Sequence, residues 1–172
     1  MTSPDNILLY LDPSDEQQVR AIFEELEARG FPKQNQTPHI TITFAPRISE
    51  PVVQRAAELL PPVVPAEFRR VGTVVFGTKS KRTVAWLLET SDELEIAARQ
   101  ISAANPDGRG CRWIPHLTVG LRLPKDLIPA YLDALEEVTS SHFKKLRAHR
   151  AALWRPASRE LRVFAGGEST SD

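Results

Sequence analysis

The feature that most constrains this chain is a pattern that occurs twice. Thr37-Pro38-His39-Ile40-Thr41-Ile42 returns as Ile114-Pro115-His116-Leu117-Thr118-Val119, an offset of 116 − 39 = 77 residues. The same offset carries the apolar run Asn6–Asp12 onto Thr83–Glu89, and Ser14-Asp15-Glu16 onto Ser91-Asp92-Glu93, with no gap. Both runs have strand length and polar bounds. In each copy a Ser with acids behind it reads as a helix N-cap and first turn. Such self-similarity predicts two related halves folded as one domain.

Helical spacing follows each cap, with Val19, Ile22, Phe23 and Leu26 in one copy and Leu94, Ala97, Ala98 and Ile101 in the other. Gly30 closes the first helix, while Asn105-Pro106-Asp107-Gly108 ends the second and opens a loop through Gly110. A further helix is predicted after each histidine motif, over Ser49–Leu60 and from Pro124 to about Val138. Extended stretches come next, at 67–76 and about 146–154, and a last strand at 160–165. Pro61-Pro62-Val63-Val64-Pro65 reads as a rigid connector inside the first half. The expected fold is α+β, one domain over residues 1–172. It comprises two pseudo-twofold-related βαβαβ-type lobes, about 5–78 and 82–166, whose antiparallel-rich sheets flank a central cleft, with a disordered tail at 167–172.

Composition narrows the function classes. At 172 residues, 41% hydrophobic and 26% charged, the chain has the make-up of a soluble single domain. No apolar run approaches the ~20 residues of a membrane helix, and the opening residues lack the features of a secretory signal. Cys111 is the only cysteine and fits a reducing interior, so a cytoplasmic location is expected. Lys plus Arg equals Asp plus Glu, 22 each, whereas a protein gripping many phosphates carries a basic excess. A nucleic-acid partner is therefore expected to be a short stretch, an end or a mononucleotide.

The chemistry lies in His-x-Thr. On a strand, residues i and i+2 share a face, so His39 goes with Thr41 and His116 with Thr118, backed by buried Ile40, Ile42, Leu117 and Val119. Pro38 and Pro115 hold the approach to each strand extended. Two imidazoles flanking a phosphorus centre can divide phosphodiester cleavage between them, one taking a proton from water and the other protonating the leaving oxygen. Threonine hydroxyls can hold the charge on the non-bridging oxygens. A strained 2′,3′-cyclic phosphate needs no metal or other cofactor for this. Histidines serving only the core would give no reason to copy His and Thr while their neighbours drift.

The paired motifs in a duplicated α+β chain resemble the two-histidine (2H) phosphoesterase superfamily, in particular its 2′–5′ RNA ligase / cyclic phosphodiesterase branch, from about Ile7 to Ala165. The resemblance implies hydrolysis of RNA 2′,3′-cyclic phosphates to 2′-phosphates and, in some members, 2′–5′ joining of RNA ends. It implies His39 and His116 as the acid–base pair and Thr41 and Thr118 as phosphate binders. Ligating members commonly carry an arginine five places past the second histidine. That place is Leu121 here, and the arginine comes one later, at Arg122.

Other residues have weaker claims. Arg122 and Arg47 could neutralise phosphate, and Trp113 and Phe44 could stack on a base, although core packing is the expectation for Phe44, Trp86 and Trp154. His142 and His149 read as surface residues. No acids or cysteines stand at metal-ligand spacing beside the histidines, and neither a phosphate-cradling glycine loop nor a nucleophile elbow occurs. The expected partners are RNA cyclic-phosphate ends or small cyclic nucleotides, with no membrane or metal, acted on by a monomer. The alternative is a nucleotide-binding module with little turnover, which would more naturally have lost one histidine.

Overall fold

Alternation in Asn6-Ile7-Leu8-Leu9-Tyr10-Leu11 sends Ile7, Leu9 and Leu11 into the core and turns Asn6, Leu8 and Tyr10 to the opposite face, making Asp5–Leu11 the first strand, β1. The structure, a computed structural model, describes residues 3–166, so the tail expected at 167–172 lies outside the described residues. After β1 come α1 (Pro13–Ala28), β2 (His39–Ala45), α2 (Glu50–Leu59) and β3 (Ala66–Phe76). The second copy runs β4 (Lys81–Glu89), α3 (Asp92–Ala104), β5 (His116–Pro124), α4 (Ile128–Val138) and β6 (Lys145–Arg155), with β7 (Glu160–Ala165) added. First-copy elements start at 5, 13, 39, 50 and 66 and second-copy elements at 81, 92, 116, 128 and 145, so the 77-residue offset holds to within two residues throughout.

All seven strands form one antiparallel sheet in the order β2-β1-β6-β3-β4-β5, with β7 on β6. The α+β, antiparallel single-domain expectation is met. Its wiring carries an exchange: the third strand of each copy pairs with the first strand of the other, β3 with β4 and β6 with β1. A short β3–β6 ladder, Ala66–Arg69 against Lys145–Ala148, makes the two half-sheets continuous. Asp5 pins this exchange, accepting from the Ile48 amide at 3.0 Å and pairing with Arg155 of β6.

Both motif strands carry the same irregularity. Ile7 and Leu8 face Thr43 and Thr41, and Val84 and Ala85 face Gly120 and Thr118, so Ile42 and Val119 are each the extra residue of a β-bulge. Each bulge reverses the strand's parity, burying Ile42 with Thr43 and Val119 with Gly120. The next residues, Phe44 and Leu121, are turned outward at 55% and 42% exposure. This overturns the core expectation for Phe44.

The predicted helical stripes are the buried faces of α1 and α3. Ser91 caps α3, its Oγ accepting from the Leu94 amide at 3.3 Å. Ser14 does not cap α1: Pro13 takes the first helical position, Asp12 becomes the N-cap, and Ser14 lies inside the first turn. Trp86 is buried as expected, whereas Trp154 is only half-buried, at the cleft. Among the described residues no helix is long and apolar enough to cross a membrane.

Candidate active site

The two bulged strands approach each other across the cleft, and both histidines are held in the same way. His39 Nδ1 lies 2.7 Å from the Thr37 carbonyl and His116 Nδ1 lies 2.6 Å from the Ile114 carbonyl, each the residue before the motif proline. A carbonyl only accepts, so Nδ1 carries the hydrogen, and Nε2 is the nitrogen left to exchange protons. Burial pushes the pKa of His39 below the usual imidazole value, its bond to Thr37 opposes that, and the charge of His116 lowers it further. Burial likewise lowers His116, the Ile114 bond opposes, and the charge of Arg109 adds to the lowering. The histidines are thus close enough to feel each other's charge and are biased toward the neutral form.

Two cavities open on this cleft, and the motifs are shared between them crosswise. One, of about 100 Å³, is lined by His116 with Thr41, and by Arg109, Arg112 and Trp113. The other, of about 710 Å³, is lined by His39 with Thr118, and by Tyr10, Phe44, Leu121 and Trp154. Thr41 Oγ1 accepts from Asn6 Nδ2 at 3.1 Å, which leaves its own hydrogen free to donate into the cleft. His39 stands opposite Tyr10 in the ladder, and His116 opposite Leu87. The ring of Phe76, at the end of β3, packs on the His116 ring at 4.8 Å between centroids.

Four sequence-predicted residues, His39, Thr41, His116 and Thr118, therefore come together at one cleft. Trp113 lines it too, but its indole is buried and donates to the Thr41 carbonyl at 2.9 Å, so it braces β2. Strict alternation along β5 would put Arg122 on the face of His116, but the bulge at Val119 breaks it. Arg122 is exposed with φ of 55°, and Leu121 takes the cleft position instead. Arg47 is exposed and lines neither cavity. His142 is exposed, and His149 is half-buried with Nδ1 3.3 Å from the Leu11 carbonyl.

Residues 11–86 match the family described as LigT like Phosphoesterase. Over that stretch the chain is similar in sequence to LigT-like phosphoesterases. The resemblance read from the motifs is borne out. This LigT-like segment includes His39 and Thr41, and the internal repeat relates it to the half that carries His116 and Thr118. No curated protein matches the chain in sequence. Among solved structures, Usb1 of Kluyveromyces marxianus with uridine monophosphate superposes with a TM-score of 0.55 at 11% identity, over 95% of this chain and 98% of that one. A second Usb1 structure from the same yeast gives 0.54 at 12% identity and the same coverage. Likeness at this identity shows a shared fold across nearly the whole chain.

Tyr10, Trp154, Arg109 and Arg112 were missed as cleft residues by sequence reasoning. For Tyr10 a signal existed, since it shares the non-core face of β1 with Asn6 and Leu8. For the arginines the signal was their place in a glycine-rich loop just ahead of the second motif.

Proposed function

We propose that this protein is a metal-independent phosphodiesterase that opens 2′,3′-cyclic phosphates of RNA ends or small nucleotides to 2′-phosphates. His39 and His116 are the acid–base pair, and Thr41 and Thr118 hold the non-bridging oxygens. Water attacks phosphorus as one neutral Nε2 takes its proton. The P–O3′ bond breaks, and the other imidazole, protonated, delivers a proton to O3′, leaving the phosphate on O2′. Ring strain in the five-membered ester supplies driving force, and threonine donors stabilise the charge that builds on phosphorus oxygens.

The observation that carries this reading is the matched tethering of both histidines by Nδ1, which leaves two Nε2 atoms for one cleft. The LigT-like phosphoesterase match supports the reaction class. The Usb1 structure with uridine monophosphate supports a nucleotide ligand for this fold.

The test is hydrolysis of adenosine 2′,3′-cyclic phosphate and of a short RNA bearing that end, in EDTA. Wild type, His39→Ala and His116→Ala are compared. Release of a 2′-phosphate that both substitutions abolish is the expected result. Tight binding without turnover by wild type would replace the enzyme with a nucleotide-binding module, and activity surviving both substitutions would mean that the chemistry lies elsewhere.

A further inference from the structure

The loops that precede the two motif strands occupy equivalent places, and each is fastened to the strand of the other motif. In the first, buried Gln34 accepts from the Leu121 amide of β5 at 2.8 Å and also holds Gln36. In the second, buried Asn105 donates to Thr43 Oγ1 at 2.8 Å and to the Phe44 carbonyl at 3.1 Å, both on β2. At its far end Trp113 bonds the Thr41 carbonyl, and Ser102 Oγ reaches the Arg112 carbonyl at 3.4 Å. The segment from 107 to 112 is thus tied at both ends to elements of the cleft.

The loops differ in the charged side chains they bring to the cavities, for Lys33 of the first lines neither. The second contributes Arg109 and Arg112 to the His116 cavity, while the 77-residue offset puts Pro32 and Asn35 at the matching places in the first. Among the described residues neither guanidinium pairs with a carboxylate, although Asp107 lines the same cavity. The His39 cavity, by contrast, has no lysine, arginine or acid among its lining residues, and presents Tyr10, Phe44 and Trp154. Its ~710 Å³ falls in the usual range for small-molecule sites, whereas the His116 cavity, at ~100 Å³, lies below it. Unpaired guanidinium forks match phosphate oxygens in geometry and charge.

We propose that Arg109 and Arg112 form a second anion subsite beside His116, which takes a phosphate of the substrate other than the one that reacts. The cleft then has a direction: an aromatic side for the nucleoside, with Arg150 beyond Tyr10 in the adjoining cavity, and the Arg109–Arg112 side for a phosphate-bearing neighbour. The preferred substrate class is a nucleotide with at least one phosphate beyond the scissile ester, such as an RNA end, over a bare cyclic mononucleoside. This inference rests on the phosphodiesterase reading above.

The experiment compares kcat/KM for adenosine 2′,3′-cyclic phosphate, its 5′-phosphorylated form and the dinucleotide ending in the same cyclic phosphate. Wild type, Arg109→Gln, Arg112→Gln and the double substitution are assayed at several salt concentrations. Wild type is expected to prefer at least one substrate carrying the second phosphate by about tenfold or more. The double substitution should erase that preference, costing that substrate about tenfold more than the mononucleoside, and should flatten its salt dependence. Equal losses on all three substrates, or no loss on any, would overturn the subsite. If wild type turns over none of them, dissociation constants for the same set decide. An arginine-dependent preference for the second phosphate would then keep the subsite while the phosphodiesterase reading fails, and no such preference would remove both.

Discussion

The half of the cleft around His39 and the half around His116 descend from one pattern, and they differ in what surrounds an identical centre. Tether, bulge and His-x-Thr spacing are copied, down to the residue at which the ladder slips. The walls are not copied. Asn6 faces Trp154 in the ladder as Thr83 faces Phe76, so Trp154 and Phe76 stand at matching places: one lines the large cavity and the other leans on the His116 ring. The strand β7 closes the outer edge of β6, and the matching edge of β3 has no strand on it among the described residues. Leu161 of β7 lines the His39 cavity, so β7 adds a wall to that side. In the proposed reaction, duplication supplies two equivalent proton-transfer groups, and divergence of the strands and loops around them supplies a direction for the substrate.

The comparison breaks first at the histidines. If the two are equivalent partners in one proton-transfer cycle, His39→Ala and His116→Ala should each cost about 10²–10⁴-fold in kcat. Combining them should cost little more than either alone, because residues that act as a unit are not additive. Single-turnover rates on a cyclic dinucleotide end would read this. A multiplicative double loss would mean that the histidines act independently. Next come the threonines, with Thr41→Val and Thr118→Val each expected to lower kcat by about 10²-fold if both donate to the charged oxygens. Restoration by Ser at either position would tie the loss to the hydroxyl.

A smaller difference concerns stability. Gly120 and Thr43 hold the same ladder place, but a Cβ on Gly120 would lie 2.7 Å from Tyr131 Cε1 and 2.7 Å from Leu123 Cδ1. The Tyr131 ring is itself fixed by its hydroxyl, which donates to the Val119 carbonyl at 2.5 Å, so it has little room to retreat. Gly120→Ala should cost about 1–3 kcal/mol in urea unfolding. An unchanged midpoint would show that the packing around α4 yields more easily than these distances suggest.

The repeat made most of this fold legible before any coordinates. Once a strand, a cap and a motif recur at one offset, every element of one copy locates its counterpart. The exchange of β3 and β6 was not legible, because both are long, partly apolar strands with no local mark of which neighbour they join, and pairing is a non-local property. The bulges escaped for a related reason. A one-residue slip leaves composition unchanged yet reverses the face of everything after it, which turned Phe44 outward and took Arg122 away from the side of His116. At the cleft, residues on strands could be placed by period. Arg109 and Arg112, on a loop without period, needed Asn105 and Trp113 to show where that loop is tied.

The subtlest expected difference is in pH dependence, and its sign follows from the surroundings of each ring. Turnover in this scheme needs one imidazole neutral and one protonated. Burial lowers both histidines below the usual value, His116 further through Arg109 and His39 further through His116. Above the ordinary imidazole range both are neutral and no acid remains, so kcat/KM should fall as pH rises through neutrality. Well below it both are protonated and no base remains. The bell, a property of the pair and not of either residue, should therefore be centred on the acid side of about 6.5. Arg109→Gln removes a charge that lowers His116, so at least one limb should move to higher pH and none to lower. Arg55→Gln, on α2 beside Glu58 and Gln100, should move neither. A bell unmoved by Arg109→Gln would detach that arginine from the His116 ring. Equal shifts from both substitutions would mean that net charge sets the profile, not the local difference between the two sides of the cleft.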